Sequence, residues 1–84
     1  MSNLELYKDA VLTVDMPSEG LRAGDLGTVV ERHQAPGGGE AGYSVEFFDM
    51  TGRTVAVVTI PASSLRAPTS ADLPSVRAVA KSSD

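Results

Sequence analysis

Two glycines three residues apart, Gly24 and Gly27, stand inside the stretch Leu21 to Glu31 (L-R-A-G-D-L-G-T-V-V-E), and the strand-forming run Thr28, Val29, Val30 follows at once. Glycine has no Cβ and takes positive φ or admits a close backbone approach, so G-D-L-G reads as a sharp turn feeding a β-strand. Such an entry opens the second strand of many small barrels. The stretch holds no nucleophile, metal cluster or phosphate cradle, so it constrains architecture far more than chemistry.

The chain of 84 residues leaves room for one domain and one core. A domain of roughly 60 residues buries only about 60% of its unfolded surface, and with no Cys no disulfide can compensate. Stability must come from a small, well-closed apolar interior. The lack of Cys also removes thiolate zinc sites and thiol chemistry and gives no sign of an oxidising compartment. The N-terminus M-S-N-L-E-L-Y-K-D has no basic or apolar leader pattern, and no apolar run approaches the roughly 20 residues of a membrane span. A soluble, cytoplasmic protein is the expectation.

Charge narrows the partners. The formal net charge is -4, and residues 1–67 hold nine acids against five bases, while residues 68–84 hold two of each. The acidity therefore belongs to the folded part. Phosphate contacts by Lys and Arg supply most non-specific nucleic-acid affinity, so this balance disfavours a polyanion and suits a basic protein. A moderate negative charge also keeps a small protein soluble.

Along the chain, Ala10, Leu12 and Val14 alternate against Asp9, Val11 and Thr13, which predicts a strand within Tyr7–Val14 with the first three inward. Asp15 to Gly20 interrupts it with turn formers, and Leu21 is expected to fold back as a hydrophobic plug. A capping box is excluded there, because no Glu or Gln lies three residues after Ser18. The second strand spans about Leu26 to His33, and the adjacent Val29 and Val30 leave its phase open. Gln34 to Gly42, with three successive glycines, reads as a hairpin tip, since no Gly-Lys-Ser/Thr follows to make a phosphate loop.

Tyr43, Val45 and Phe47 alternate with Ser44, Glu46 and Phe48, the clearest strand pattern of the chain. Asp49 to Arg53 is a tight hairpin turn with Gly52 supplying positive φ. In Thr54–Ile60 both faces are apolar, Ala56, Val58 and Ile60 against Val55, Val57 and Thr59, which predicts a central or doubly covered strand. Pro61 to Ser64 suits one helical turn that returns Leu65 to the core before a last strand, Leu65 to Ala67. The expected core includes Leu12, Val14, Leu21, Val45, Phe47, Val58 and Leu65. After Pro68 the composition turns to Ser, Ala and Pro without aromatics. Leu73, Val76 and Ala80 have roughly helical spacing in a segment too short to be helical alone, so a flexible tail is expected.

Five short strands, a long first loop, a glycine-marked second strand and a helical turn before the last strand resemble a small five-stranded SH3-like barrel, an all-β fold. The phrases D-M-P-S-E-G-L-R-A-G-D-L-G-T-V-V-E and Y-S-V-E-F-F-D-M-T-G-R-T-V-A-V-V-T-I-P-A-S-S-L-R, in that order, resemble the bacterial domain-of-unknown-function family 4926. The resemblance covers about residues 4–67, taken as the barrel domain, and leaves 68–84 as the tail. Members are small bacterial proteins that can be encoded beside toxin-like domains, which implies an immunity or antitoxin role. The family brings no catalytic residues to carry over. The glycine-marked barrel also resembles KOW-type nucleic-acid modules and accessory barrels of enzyme complexes, but KOW-type readers bring a basic surface that this sequence lacks.

No constellation for catalysis, a metal or a cofactor emerges. His33 is the single histidine, with Glu31 two residues away on the same strand face, and it reads as a solvent-facing strand-end residue. Asp25, Glu46 and Asp49 lack the spacing of a calcium loop and read as solvated acids. A proline-peptide groove needs aromatic walls, and the chain has four aromatics and no Trp. The remaining signal is an aromatic on a wet face: burying Tyr43, Val45 and Phe47 turns Glu46 and Phe48 outward. Exposed aromatics are enriched at interface hot spots, and neighbouring acids steer a basic partner. Glu46, Phe48 and Asp49 are therefore the candidate partner-binding residues of a non-enzymatic binding module. The alternatives are a KOW-like nucleic-acid-binding barrel and an accessory domain of an enzyme complex.

Overall fold

A computed structural model describes residues 4–78. Five antiparallel strands form one curved sheet in the order β4-β3-β2-β1-β5: β1 (Asp9–Leu12), β2 (Leu26–His33), β3 (Gly42–Phe48), β4 (Thr54–Pro61) and β5 (Leu65–Arg66). The only helical elements among the described residues are single 3-10 turns, Pro17–Glu19, Pro36–Gly38 and Ala62–Ser64. The last of these precedes β5, as expected for the SH3-like arrangement. The sheet curls around one core of Ala10, Leu12, Leu21, Val29, Tyr43, Val45, Phe47, Ile60 and Leu65, with Leu4, Met16, Val58 and Ala62 packed against it.

The glycine turn ties this core to β1. The Asp25 amide donates to the Arg22 carbonyl at 3.0 Å, with Gly24 at φ 97° in the third position of the turn; that positive φ is the one a type II turn reserves for glycine. The Gly24 amide donates to the Leu12 carbonyl (2.7 Å) and Leu12 donates to the Asp25 carbonyl (2.9 Å), which fastens the turn to β1. Upstream, Met16 and Leu21 exchange backbone hydrogen bonds of 2.9 and 3.1 Å across the Pro17–Glu19 turn. This closure drives Leu21 inward as the expected plug.

The open phase of β2 is resolved by a bulge. Val29 pairs with Val45 but Glu31 pairs with Ser44, so Val30 is the extra residue and only Val29 enters the core. The β3–β4 hairpin closes through a three-residue loop, Met50 to Gly52. The Gly52 amide donates to the Asp49 carbonyl (3.0 Å), the Asp49 amide to the Arg53 carbonyl (2.8 Å), and Gly52 takes φ 90°. A Cβ on Gly52 would meet nothing within 4 Å, so the cost of Gly52→Ala is conformational alone. A loss of about 1 to 2 kcal/mol is expected, read as a lower urea midpoint with an unchanged m-value.

Two expectations are corrected. Val14 is not in the core: β1 ends at Leu12, and Val14 is 43% exposed while Val11 is buried. Val11 lies on the outward side yet stands between Leu26 of β2 and Arg66 of β5, and Val14 follows the end of the ladder, with Asp15 already in the loop. Nor is β4 central or doubly covered. It is an edge strand whose outward Val55 and Val57 are exposed, so its two-sided apolar pattern reflects an uncovered apolar face.

Beyond β5 the described chain carries no strand or helix and is held by ion pairs. Arg66 grips Asp72 with two parallel hydrogen bonds of 2.8 Å, and Asp72 also accepts from the Thr69 amide at 2.6 Å. These bonds, the Arg66 fork first and the Thr69 amide second, hold the Asp72 carboxyl well below the usual carboxylate range. A carboxyl depressed on folding contributes its full stabilisation above its ordinary value near ~4 and loses it progressively as pH falls from there through the lowered value. In a carboxyl-carbon NMR titration, Asp72 is expected to stay ionised through pH 3, with Arg66→Gln returning its midpoint toward the ordinary value. Ala80 of the expected tail pattern lies outside the described residues.

Candidate functional site

Because side chains alternate along strands, the face of the sheet opposite the core is assembled by register. The inward pair Gly27–Phe47 places Leu26 and Phe48 next to each other on the outward side, and Val11 lies across from Leu26. One step along, Asp9 pairs with Thr28, Thr28 with Glu46, and Glu46 with Val57. Leu26, Phe48 and Val57 are 48%, 45% and 57% exposed. The outward face thus carries an apolar row of Val11, Leu26 and Phe48, with Arg66 at its β5 end, beside a row that holds the acids Asp9 and Glu46 and reaches Val57 on β4.

Of the three residues singled out from the sequence, Glu46 and Phe48 share this face. Glu46 accepts a short hydrogen bond from the Thr54 hydroxyl, which fixes its carboxylate over the β3–β4 pair. Asp49 is different. Its carboxylate accepts from the Thr51 amide (2.8 Å), the Thr51 hydroxyl (2.7 Å) and the Arg53 amide (3.0 Å), so it organises the hairpin loop. It stands at the end of the face as a turn-forming acid. Leu26, Val55 and Val57 belong to the same face and were missed. The signals were present, in the leucine between the two glycines and in the second apolar side of β4.

The polar end of this face has Ser44 Oγ 2.7 Å from His33 Nε2 and 3.3 Å from Thr59 Oγ1. Glu31 Oε1 lies 3.9 Å from the same Nε2. A serine nucleophile with a histidine base needs its orienting acid on the other ring nitrogen. Serine and carboxylate instead meet at one nitrogen, as in a hydrogen-bonded ladder across β2, β3 and β4. Among the described residues no group of three or more His, Asp or Glu side chains is placed to hold a metal ion. No described helix is long and apolar enough to cross a membrane.

The family model described as Domain of unknown function (DUF4926) matches residues 6–67, from before β1 to just past β5. The chain belongs to this family. No curated protein and no solved structure matches it. The DUF4926 match contains the glycine turn, the whole sheet and the outward face, and it stops before the segment held by Asp72 and Arg77. Every element that positions Leu26, Glu46 and Phe48 is therefore part of the family's domain.

Proposed function

We propose that this domain is a non-enzymatic protein-binding module that seats a basic protein partner on its outward sheet face, in the manner of an immunity or antitoxin protein that occludes a toxin. The observation that carries the reading is the juxtaposition of exposed Leu26, Phe48 and Val57 with the fixed carboxylate of Glu46 on the outward side of the sheet. An apolar centre with an aromatic anchor supplies the contact area that slows dissociation, and flanking acids attract the partner. The nine-to-five excess of acids over bases in residues 1–67 adds a long-range field of the same sign.

Capture from an extract of the source cells tests this reading, with tagged wild-type protein, Phe48→Ala and Glu46→Lys as baits and nuclease added to half of each sample. A basic protein retained by the wild type with or without nuclease, and depleted on both variants, is the expected result. Nuclease-sensitive capture of RNA or DNA that is indifferent to both substitutions would overturn it in favour of the nucleic-acid alternative.

A further inference from the structure

The loop that leads into β2 holds a guanidinium. Arg77 reaches back 52 residues to Asp25, with Nε 3.2 Å from Oδ1 and Nη2 in a short hydrogen bond to Oδ2, and the same Nη2 donates to the Gly20 carbonyl at 3.2 Å. Two carboxylate oxygens and a carbonyl converge on one planar fork, the geometry in which arginine is better recognised than lysine. Both side chains are largely shielded from solvent, about a quarter exposed or less. Beside them is an open cleft of about 280 Å³, bounded by Asp15, Pro17, Leu21 and Arg22 and by Arg77 and Ala78 of the tail.

The acceptors do not depend on the tail for their position. Asp25 Oδ2 accepts the Arg22 amide at 2.8 Å and Asp15 Oδ1 accepts the Ala23 amide at 3.0 Å, so the loop sets both carboxylates from within. Gly20 is fixed at φ 73° with its amide on the Pro17 carbonyl, which aims its own carbonyl at the site. The segment carrying Arg77 is held far more loosely. Leu73 and Val76 are exposed, and the Arg66–Asp72 pair joins residues only six apart. Closing a loop of 52 residues costs chain entropy, which offsets part of what the Arg77 contacts gain.

We propose that Asp25 and the Gly20 carbonyl form a socket for an arginine side chain of another protein chain, and that Arg77 occupies it in cis as a displaceable plug. The acidic surroundings favour a guanidinium, and the Arg22 side chain at the rim opposes a second cation, so the socket takes one arginine at a time. Asp25 immediately precedes Leu26, which sets the socket at the border of the outward face, but its existence does not require a partner on that face.

The test is an amide-resolved NMR titration of the full chain with N-acetyl-arginine amide, N-acetyl-lysine amide and free L-arginine. Wild type, Arg77→Ala and the double variant Asp25→Asn with Arg77→Ala are compared. The expected result is saturable shifts at Gly20, Leu21, Asp25 and Leu26 in Arg77→Ala, at concentrations roughly tenfold below those the wild type needs because the cis plug is gone. The lysine amide should bind more weakly and the double variant should lose the response, although its asparagine still accepts the Arg22 amide. In the wild type, which needs no variant to fold, the blocked arginine should displace the Arg77 Nε proton resonance to its free position. Equal titration of wild type and Arg77→Ala, no saturation in Arg77→Ala, or equal response to lysine would overturn the proposal. Binding of free arginine without binding of the blocked amide would overturn the assignment to a protein side chain.

Discussion

Phe47→Ala is expected to cost about 3 to 5 kcal/mol, a large part of the roughly 5 to 15 kcal/mol that holds a small domain together. The ring is almost wholly buried in the core, and its neighbours in register are Gly27 on β2 and Ala56 on β4. Neither can extend into the space left behind. The cavity stays open, and the full transfer-plus-cavity cost is incurred. Urea denaturation followed by far-ultraviolet circular dichroism measures it: a midpoint reduced by half or more, or a chain unfolded in buffer, is the expected result. A change under 1 kcal/mol would mean that Phe47 does not fill the core. Phe48→Ala is its control, one residue away on the opposite face, and should leave the midpoint nearly unchanged.

Gly27→Ala has the next largest expected effect, for the opposite reason. Gly27 has no positive φ, yet a Cβ there would lie 2.5 Å from Val45 Cγ1 and 3.0 Å from both the Glu46 carbonyl oxygen and Phe47 Cδ2. Val45 can turn and the ring can tilt, but the Glu46 carbonyl belongs to the β3 ladder and cannot move without parting β2 from β3. Overpacking of this kind costs about 1 to 3 kcal/mol, more than the gain of up to about 1 kcal/mol from removing a glycine inside a strand. Gly27→Val should be worse, and both are expected to lower the melting temperature. The Phe47→Ala background should reduce the penalty, because one of the three obstructing groups is gone; such coupling is what contacting residues show. A melting temperature raised by Gly27→Ala would refute the close approach.

These two residues mark what was legible in the sequence. Period-two alternation gave the inward phase of β3, because both positions between Tyr43, Val45 and Phe47 are polar, Ser44 and Glu46. The bounds of β2 were readable from the Gly24 turn before it and the glycine-rich tip after it. The phase of β2 was not, since two adjacent valines fit either face and only pairing with β3 selects the bulge at Val30. Strand order was hidden for a similar reason: Thr54–Ile60 looks the same whether its second apolar side is covered or bare. Glu46 and Phe48 were found because alternation alone places them. The turn-forming role of Asp49, the neighbouring Leu26 and the Arg77–Asp25 pair each depend on chain closures across the sheet or over 52 residues, which no local pattern encodes.

The proposed role of this face is that Phe48 anchors and Glu46 steers a basic partner. It is tested most directly by association and dissociation rates of the purified domain with the captured protein, measured by surface plasmon resonance across a range of salt concentrations. The expected result is a split: Phe48→Ala raises the dissociation rate at least about tenfold, the scale of a hot-spot aromatic, with little change in association. Glu46→Lys should instead slow association and flatten its salt dependence, as removal of a steering charge does. Rates unchanged in both variants, with the domain still folded, would contradict the placement of the partner on this face.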